Sequence, residues 1–224
     1  MKKSVIIVAG GSGTRLGSDI PKQFLLLQDK PILFHTIEHF YNAYHNINII
    51  VVLPKRQVIY WAELKRKYDF NIPHQIVAGG KSRFESVKNG MTVITDECVV
   101  GIHDAVRPLI TEKNIKQLFA AAEKNGNAIP FSPCKDSIRK VATNGQNKAV
   151  PREEYVLIQT PQCFLWSQIK KGYFGPELPQ FTDDASVFEH LGGKVHLVKG
   201  DAHNIKITYP SDLIFAEALL NQRD

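Results

Sequence analysis

Cysteine is scarce in this 224-residue chain, with Cys98, Cys134 and Cys163 the only three. Three scattered thiols exclude a disulfide framework and a zinc site of close cysteine spacing. They fit a reducing compartment, and the expected location is cytoplasmic. Long apolar runs are also missing: none approaches the roughly 20 residues that span a bilayer. The stretch Val5–Ala9 behind the basic start is too short for a signal-peptide core. No membrane association is therefore expected. Repeats and low-complexity segments are absent, and a hydrophobic fraction of 43% argues against disorder or a fibrous array. Acidic residues are in deficit, 22 against 28 Lys+Arg, for a formal charge of +6. That excess asks for an anionic partner, either a nucleic-acid surface or small anionic ligands.

What is present is a regular alternation of strand and helix patterns. Ser4–Ala9 reads as a buried strand, followed by a glycine-rich loop from Gly10 to Gly17. Pro31 opens a helix whose apolar positions Leu33, Ile37, Phe40 and Tyr44 keep helical spacing. Strands are predicted at Asn48–Leu53, near Gln75–Val77 and at Cys98–His103, with helices around Val58–Tyr68, Phe84–Val93 and Ile115–Ala122. The length suits one α/β domain spanning 1–224, with a mostly parallel sheet covered by helices on both faces. Such sheets bind ligands at the carboxyl ends of their strands.

The rhythm breaks after Asn127. Residues 133–156 are polar, contain no helix pattern and carry an Asn144-Gly145 hairpin signal. A polar hairpin of that size buries no core of its own, so it is expected to project as an arm. The core pattern resumes with strands at Tyr155–Ile158, Lys194–Val198 and Ile205–Ile207. Helices are predicted near Ser167–Tyr173, over Asp183–Leu191 and from Ser211.

The loop Gly10–Gly17 sits where phosphate-binding loops sit, directly after a buried strand. It lacks the Gly-Lys-Ser/Thr ending of a P-loop. Gly11, Gly13 and Gly17 are spaced one residue too widely for the dinucleotide fingerprint, and the second strand ends in Pro54-Lys55-Arg56 rather than in an acid. A nicotinamide cofactor is disfavoured. The loop does offer unobstructed backbone N–H groups for a polyphosphate, plus the cations Arg15 and Lys22.

The segment Ala9–Leu25, AGGSGTRLGSDIPKQFL, resembles the GxGxRxxxxxPKQ signature of sugar- and polyol-phosphate nucleotidylyltransferases. GGKSRFESVKNG from Gly79, HDAVRP from His103, DSIRK from Asp136 and VPR ending at Arg152 follow in order. TPQ from Thr160, TDDAS from Thr182 and NIKIT from Asn204 complete the series. As an ordered set over essentially the whole chain they resemble the 2-C-methyl-D-erythritol 4-phosphate cytidylyltransferases of the non-mevalonate isoprenoid pathway. Together with the alternation, the resemblance implies an α/β, Rossmann-like three-layer domain with a protruding β-arm.

The activity it implies joins CTP to a polyol phosphate. A phosphate monoester is already largely dianionic near neutral pH, with a second pKa of about 6, so no catalytic base is needed. Positioning and fixed cations carry such a reaction. By resemblance Arg15, Lys22 and Lys206 are the catalytic cations. Ala9, Gly10, Gly11, Gly13, Gly80, Lys81, Ser86 and Asp104 surround the nucleotide. Lys81 stands where some members carry an acid, and Ser137 where many carry threonine. Asp104, Ala105, Arg107, Ser137, Arg152, Thr182, Lys206 and Thr208 meet the polyol phosphate. Arg152 and Thr182 would do so across a homodimer formed through the arm. A divalent ion, Mg²⁺, would be carried by the phosphates, with Asp104 as the one candidate protein ligand.

Several of these residues have plainer roles open to them. His103 reads as a packed, hydrogen-bonded residue, and Thr182 before two acids reads equally as a helix N-cap. Lys206 between Ile205 and Ile207 fits the polar face of an alternating segment. Two other functions stand beside the main one: a ribitol-5-phosphate cytidylyltransferase, and a basic nucleic-acid-binding protein. The second would need clustered cations with interleaved aromatics, and Lys65-Arg66-Lys67-Tyr68 is the one dense basic run.

Overall fold

The computed structural model describes residues 1–10 and 20–222. Along the chain it runs β1 (Lys2–Val8), β2 (Leu26–Leu27), β3 (Lys30–Pro31), α1 (Ile32–Ala43), β4 (Asn48–Leu53), α2 (Val58–Lys67), β5 (Gln75–Ala78) and α3 (Arg83–Met91). Then come β6 (Cys98–Asp104), α4 (Glu112–Asn125), β7 (Asn127–Pro133), β8 (Ile138–Val141), β9 (Asn147–Val150), β10 (Val156–Ile158) and β11 (Gln162–Leu165). The chain closes with α5 (Trp166–Tyr173), α6 (Asp184–His190), β12 (Leu197–Lys199) and α7 (Pro210–Asn221).

The main sheet has the order β10-β7-β11-β6-β1-β4-β5, with β12 beside β7. β1 pairs in parallel with β4 and β6, and β4 with β5. β11 runs antiparallel between β6 and β7, and β10 is antiparallel to β7. The Val/Ile-rich runs of β1, β4 and β6 are buried because both faces of the sheet are covered. Strand alternation sorts their side chains. Val5, Ile7, Val51 and Leu53 pack with Leu33, Phe34 and Phe40 of α1, Trp61 of α2 and Phe119 of α4. Ile6, Ile50 and Val52 point the other way, to Val87 and Met91 of α3, Ile169 of α5 and Phe188 of α6. This is the three-layer α/β architecture expected from the alternation.

β1 is the turning point of the topology. From it the chain moves outward through β4 to β5, then crosses back to place β6 on its other side. A crevice opens outside the carboxyl ends of β1 and β6, where ligands of such sheets bind.

Three details differ from expectation. β7 and β11 have no counterpart in the sequence reading, and they give the sheet its antiparallel half. The second strand after the arm is confined to Leu197–Lys199. The expected strand Ile205–Ile207 is no ladder, because its neighbour is a loop: the Ile207 N–H donates to the Val106 carbonyl at 2.9 Å. The predicted hairpin is present. Among the described residues β8 and β9 pair only with each other, and they are mostly exposed. Its turn places Gly145 at φ +83°, with the Gly145 N–H donating to Ala142 and the Ala142 N–H to Gln146. That is a three-residue loop with glycine in the left-handed position, which a side chain would strain.

Candidate active site

A cavity of about 230 Å³ occupies the crevice between β1 and β6. The end of β1 brings Ala9 and Gly10, and the tight helical turn Lys22–Phe24 brings Lys22. That turn is tied down by Gln23, which is buried and donates to the Ala9 carbonyl at 2.9 Å and to Gln57 Oε1 at 2.6 Å. The Pro-Lys-Gln stretch therefore has a division of labour: glutamine anchors, and lysine borders the cavity. Arg15, Gly11 and Gly13 lie outside the described residues.

The loop between β5 and α3 supplies Gly80 and Lys81, and the first turn of α3 supplies Ser86. It is locked by its own side chains. The Gly80 N–H donates to Ser86 Oγ at 3.1 Å, and that hydroxyl donates to the Ser82 carbonyl at 2.8 Å. The Lys81 N–H donates to Glu85 Oε2 at 2.6 Å, while Ser82 Oγ caps α3 by accepting from the Glu85 N–H at 3.0 Å. Lys81 thus takes its place through its main chain.

β6 ends in Asp104 and Ala105, both on the cavity wall. Asp104 is nearly buried and meets three cations: Lys206 Nζ at 3.0 Å, Arg107 Nε at 3.3 Å and Arg83 Nε at 3.8 Å. Burial pushes its pKa up, but Arg83, Lys206 and Arg107 together hold the carboxyl well below the usual range. The magnitudes agree: each opposite charge near 4 Å is worth about 4 kcal/mol at an effective dielectric constant of 20. Three such neighbours outweigh a desolvation cost of several kcal/mol. Asp104 is ionised throughout the physiological range.

Lys206 is aimed by alternation. Ile207 is fully buried among Leu27, Val106 and Leu109, with Ile205 packed against that cluster, so Lys206 between them turns to Asp104. Arg107 also donates through Nη1 to the Asn204 carbonyl at 2.8 Å. His103 is fully buried, packs edge-on to Phe40, and places Nε2 3.2 Å from the Arg107 carbonyl and Nδ1 3.0 Å from Thr160 Oγ1. The same hydroxyl accepts from the Asp104 N–H at 3.1 Å. Burial pushes the His103 pKa down to about 3, so it is a neutral packing residue that steadies the Asp104–Arg107 turn.

The other candidates stand apart from the cavity wall. Thr208 lies two residues beyond Lys206, and its hydroxyl donates to the Lys206 carbonyl at 3.2 Å. Ser137 and Arg152 are exposed at the foot of the arm, where Arg152 donates to the Lys135 carbonyl at 2.8 Å and to Glu153 at 3.2 Å. Thr182 is exposed and does not cap α6. Asp183 does, in a capping box with Ser186, its carboxylate accepting from the Ser186 N–H at 2.9 Å.

Beyond Val8, Gln23, Ser82 and Val106 of the wall, two charged residues of the cavity region were not anticipated. Arg83 lines the wall and binds Asp184 in a bidentate pair, Nη1 to Oδ1 and Nη2 to Oδ2, both at 2.7 Å. Asp184 is fully buried and also accepts from the Tyr173 hydroxyl. Asp184 follows the capping residue of α6, a position that reads in sequence as first-turn acid alone.

Among the described residues no group of three or more His, Cys, Asp or Glu could hold a metal ion. Among the described residues the cavity wall offers one carboxylate, Asp104, already engaged with cations. That donor set fits Mg²⁺ carried chiefly by substrate phosphates and not by a protein cage. No helix among the described residues is long and apolar enough to cross a membrane.

A crevice at the ends of parallel strands with cations converging on it fits the nucleotidyltransferase class of α/β proteins. The sequence model of 2-C-methyl-D-erythritol 4-phosphate cytidylyltransferase matches residues 4–222. Proteins of that name from Porphyromonas gingivalis and Bacteroides thetaiotaomicron are 47% and 44% identical to this chain. These alignments cover 98% of the chain in both cases, and 98% and 100% of the two relatives. The crystal structure of 4-diphosphocytidyl-2C-methyl-D-erythritol synthase from Anaerococcus prevotii superposes with a TM-score of 0.83 at 28% identity, covering 98% of each chain. The 2-C-methyl-D-erythritol 4-phosphate cytidylyltransferase of Thermus thermophilus gives 0.80 at 29%, covering 99% of this chain and 100% of the other. The chain belongs to the 2-C-methyl-D-erythritol 4-phosphate cytidylyltransferase family. That membership supports the methylerythritol reading over the ribitol phosphate and nucleic-acid alternatives.

Proposed function

We propose that the chain catalyses attack of a phosphate oxygen of 2-C-methyl-D-erythritol 4-phosphate on the α-phosphorus of CTP. A new phosphorus–oxygen bond forms, the bond to the β-phosphate bridge breaks, and pyrophosphate leaves with the electron pair. The product is 4-diphosphocytidyl-2-C-methyl-D-erythritol. The observation that carries this reading is the convergence of Lys22, Lys206 and Asp104 on one crevice beside Gly10. Two polyanions must meet there, and fixed cations lower that barrier most effectively in a water-poor site. Arg15 and Lys22 would stabilise charge on the triphosphate, and Lys206 and Arg107 would receive the acceptor phosphate. Gly80, Lys81 and Ser86 would read the cytosine, with Asp104 and Ala105 meeting ribose or polyol hydroxyls.

Mg²⁺, when bound, would neutralise phosphate charge, held on the protein side by Asp104. Ser137, Arg152 and Thr182 are proposed to complete the acceptor site of a second subunit, with Thr208 at its edge. Their distance from the cavity wall and the exposure of the arm support that reading. The free thiols Cys98, Cys134 and Cys163 support a cytoplasmic setting.

The test is pyrophosphate release from CTP with methylerythritol phosphate or ribitol 5-phosphate, with Mg²⁺ and after chelation. Release with methylerythritol phosphate that disappears on chelation is expected. Faster release with ribitol 5-phosphate would overturn the substrate, and full activity after chelation would overturn the role of the ion.

A further inference from the structure

Asp184 is a carboxylate with no exposed surface, and Arg83, its partner, is about a third exposed on the cavity side. Their positions in sequence are 101 apart, and they join the first turn of α3 to the first turn of α6. A buried pair of this kind adds little net stability over well-packed apolar side chains. Its presence at the cavity wall is explained better by what it holds. One end reaches the loop with Gly80 and Lys81, which enters α3 immediately before Arg83 and is tied to Ser86 of that helix. The guanidinium edge left over stands 3.8 Å from Asp104. The other end is fixed twice more: Tyr173 donates to Asp184, and the Ala185 N–H donates to Gln162 Oε1 at 2.7 Å.

We propose that Arg83 and Asp184 are positioning residues of the nucleotide site. The bidentate pair clamps α3 to α6 and so sets the base-reading loop in register with Asp104 across the cavity. With its charge answered by Asp184, Arg83 does not draw Asp104 away from Lys206. The inference rests on the proposed function, because it takes the segment Gly79–Ser86, the loop and the first turn of α3, as the reader of cytosine. It goes further in assigning base discrimination to a pair that is not itself placed on the base.

Arg83→Gln, Arg83→Lys, Asp184→Asn and Tyr173→Phe variants of the full chain test it, each first checked for folding by its melting temperature. Steady-state rates with CTP and with UTP, and CTP affinity by calorimetry, are the readouts. Arg83→Gln and Asp184→Asn should each raise KM for CTP about tenfold or more and lower the CTP-over-UTP preference by about the same factor. The kcat at saturation should stay within about fivefold of wild type. Combining the two changes should cost little beyond either alone. Arg83→Lys should recover the affinity only in part, since an ammonium cannot make the bidentate contact. Tyr173→Phe leaves the pair in place and should shift KM about two- to threefold in the same direction, which keeps the test open if Asp184→Asn does not fold. Unchanged KM and unchanged base preference in folded variants would overturn the proposal. So would a hundredfold fall in kcat at constant KM, which would put Arg83 on the reacting phosphates. Wild-type protein that neither binds CTP nor turns it over would instead overturn the functional reading, before any variant is compared.

Discussion

Lys22 and Lys206 reach the cavity from opposite ends of the chain and are positioned by different means. Lys206 spends part of its charge on Asp104 at 3.0 Å, so it is positioned before any substrate arrives. Lys22 rides on a turn whose place is set by buried Gln23. Lys22→Ala should therefore leave CTP affinity within about tenfold while cutting turnover by about a hundredfold or more. That corresponds to about 2.7 kcal/mol of lost transition-state stabilisation. Single-turnover kinetics beside calorimetry separates the two quantities, and near-wild-type turnover would mean that another cation carries the charge. His103 makes a prediction of a different kind. Its folded pKa is depressed by burial to about 3, against about 6.5 when unfolded, so the unfolded chain binds the extra proton. His35 and His74 are lowered in the same sense, chiefly by burial. The His103 contribution is fully present above pH ~6.5 and is lost as pH falls toward ~3, and the two other histidines act in the same direction. Asp104, depressed by its cations, adds a loss only below its unfolded value of ~3.9. The melting temperature should be flat at mildly alkaline pH and fall between pH ~6.5 and ~4, more shallowly in His103→Gln. A melting temperature that rose on acidification would contradict this sign.

At the level of elements, the loop before α3 is held by sterics as much as by hydrogen bonds. A methyl group at Gly80 would stand 2.2 Å from Glu85 Cβ and 3.1 Å from the Glu85 backbone, and neither can swing aside while α3 stays in place. Gly80→Ala should displace the loop and raise KM for CTP about tenfold or more. The melting temperature should drop by only a few degrees, since the loop sits at the surface end of the core. An unchanged KM would show that the loop does not touch the nucleotide. The sheet's parallel half was legible because Val/Ile runs such as Asn48–Leu53 are long, apolar and separated by helix periodicity. β7 and β11 were not. β7 carries Pro130 and Pro133, residues that argue against a strand, and β11 is four residues long behind Pro161. The site divides in the same way. Motif residues near strand ends, such as Asp104 and Gly80, could be found from local context and resemblance. Arg83 with Asp184 could not, because the contact that gives each its meaning is made across the fold and leaves no local pattern.

For the whole molecule, the question is where one active site ends. The cavity gathers Lys22, Asp104 and Lys206, while Arg152 is exposed at the foot of the arm and donates to the Lys135 carbonyl and Glu153. A polar hairpin that pairs with no other strand among the described residues gains little by folding alone. An isologous dimer in which each arm crosses to the other subunit would give both the hairpin and Arg152 a use. Arg152→Ala should then raise KM for the polyol phosphate while leaving CTP affinity unchanged. The sharper test combines it with Lys22→Ala. In a heterodimer of the two variants, the pocket of the Arg152→Ala subunit keeps its own Lys22 and receives Arg152 from the other arm. The second pocket lacks both. A heterodimer purified through two different tags should therefore recover about half of wild-type turnover, one intact site of two, although each parent homodimer is impaired. If Arg152 served the pocket of its own chain, every site in that heterodimer would lack one residue and no activity would return.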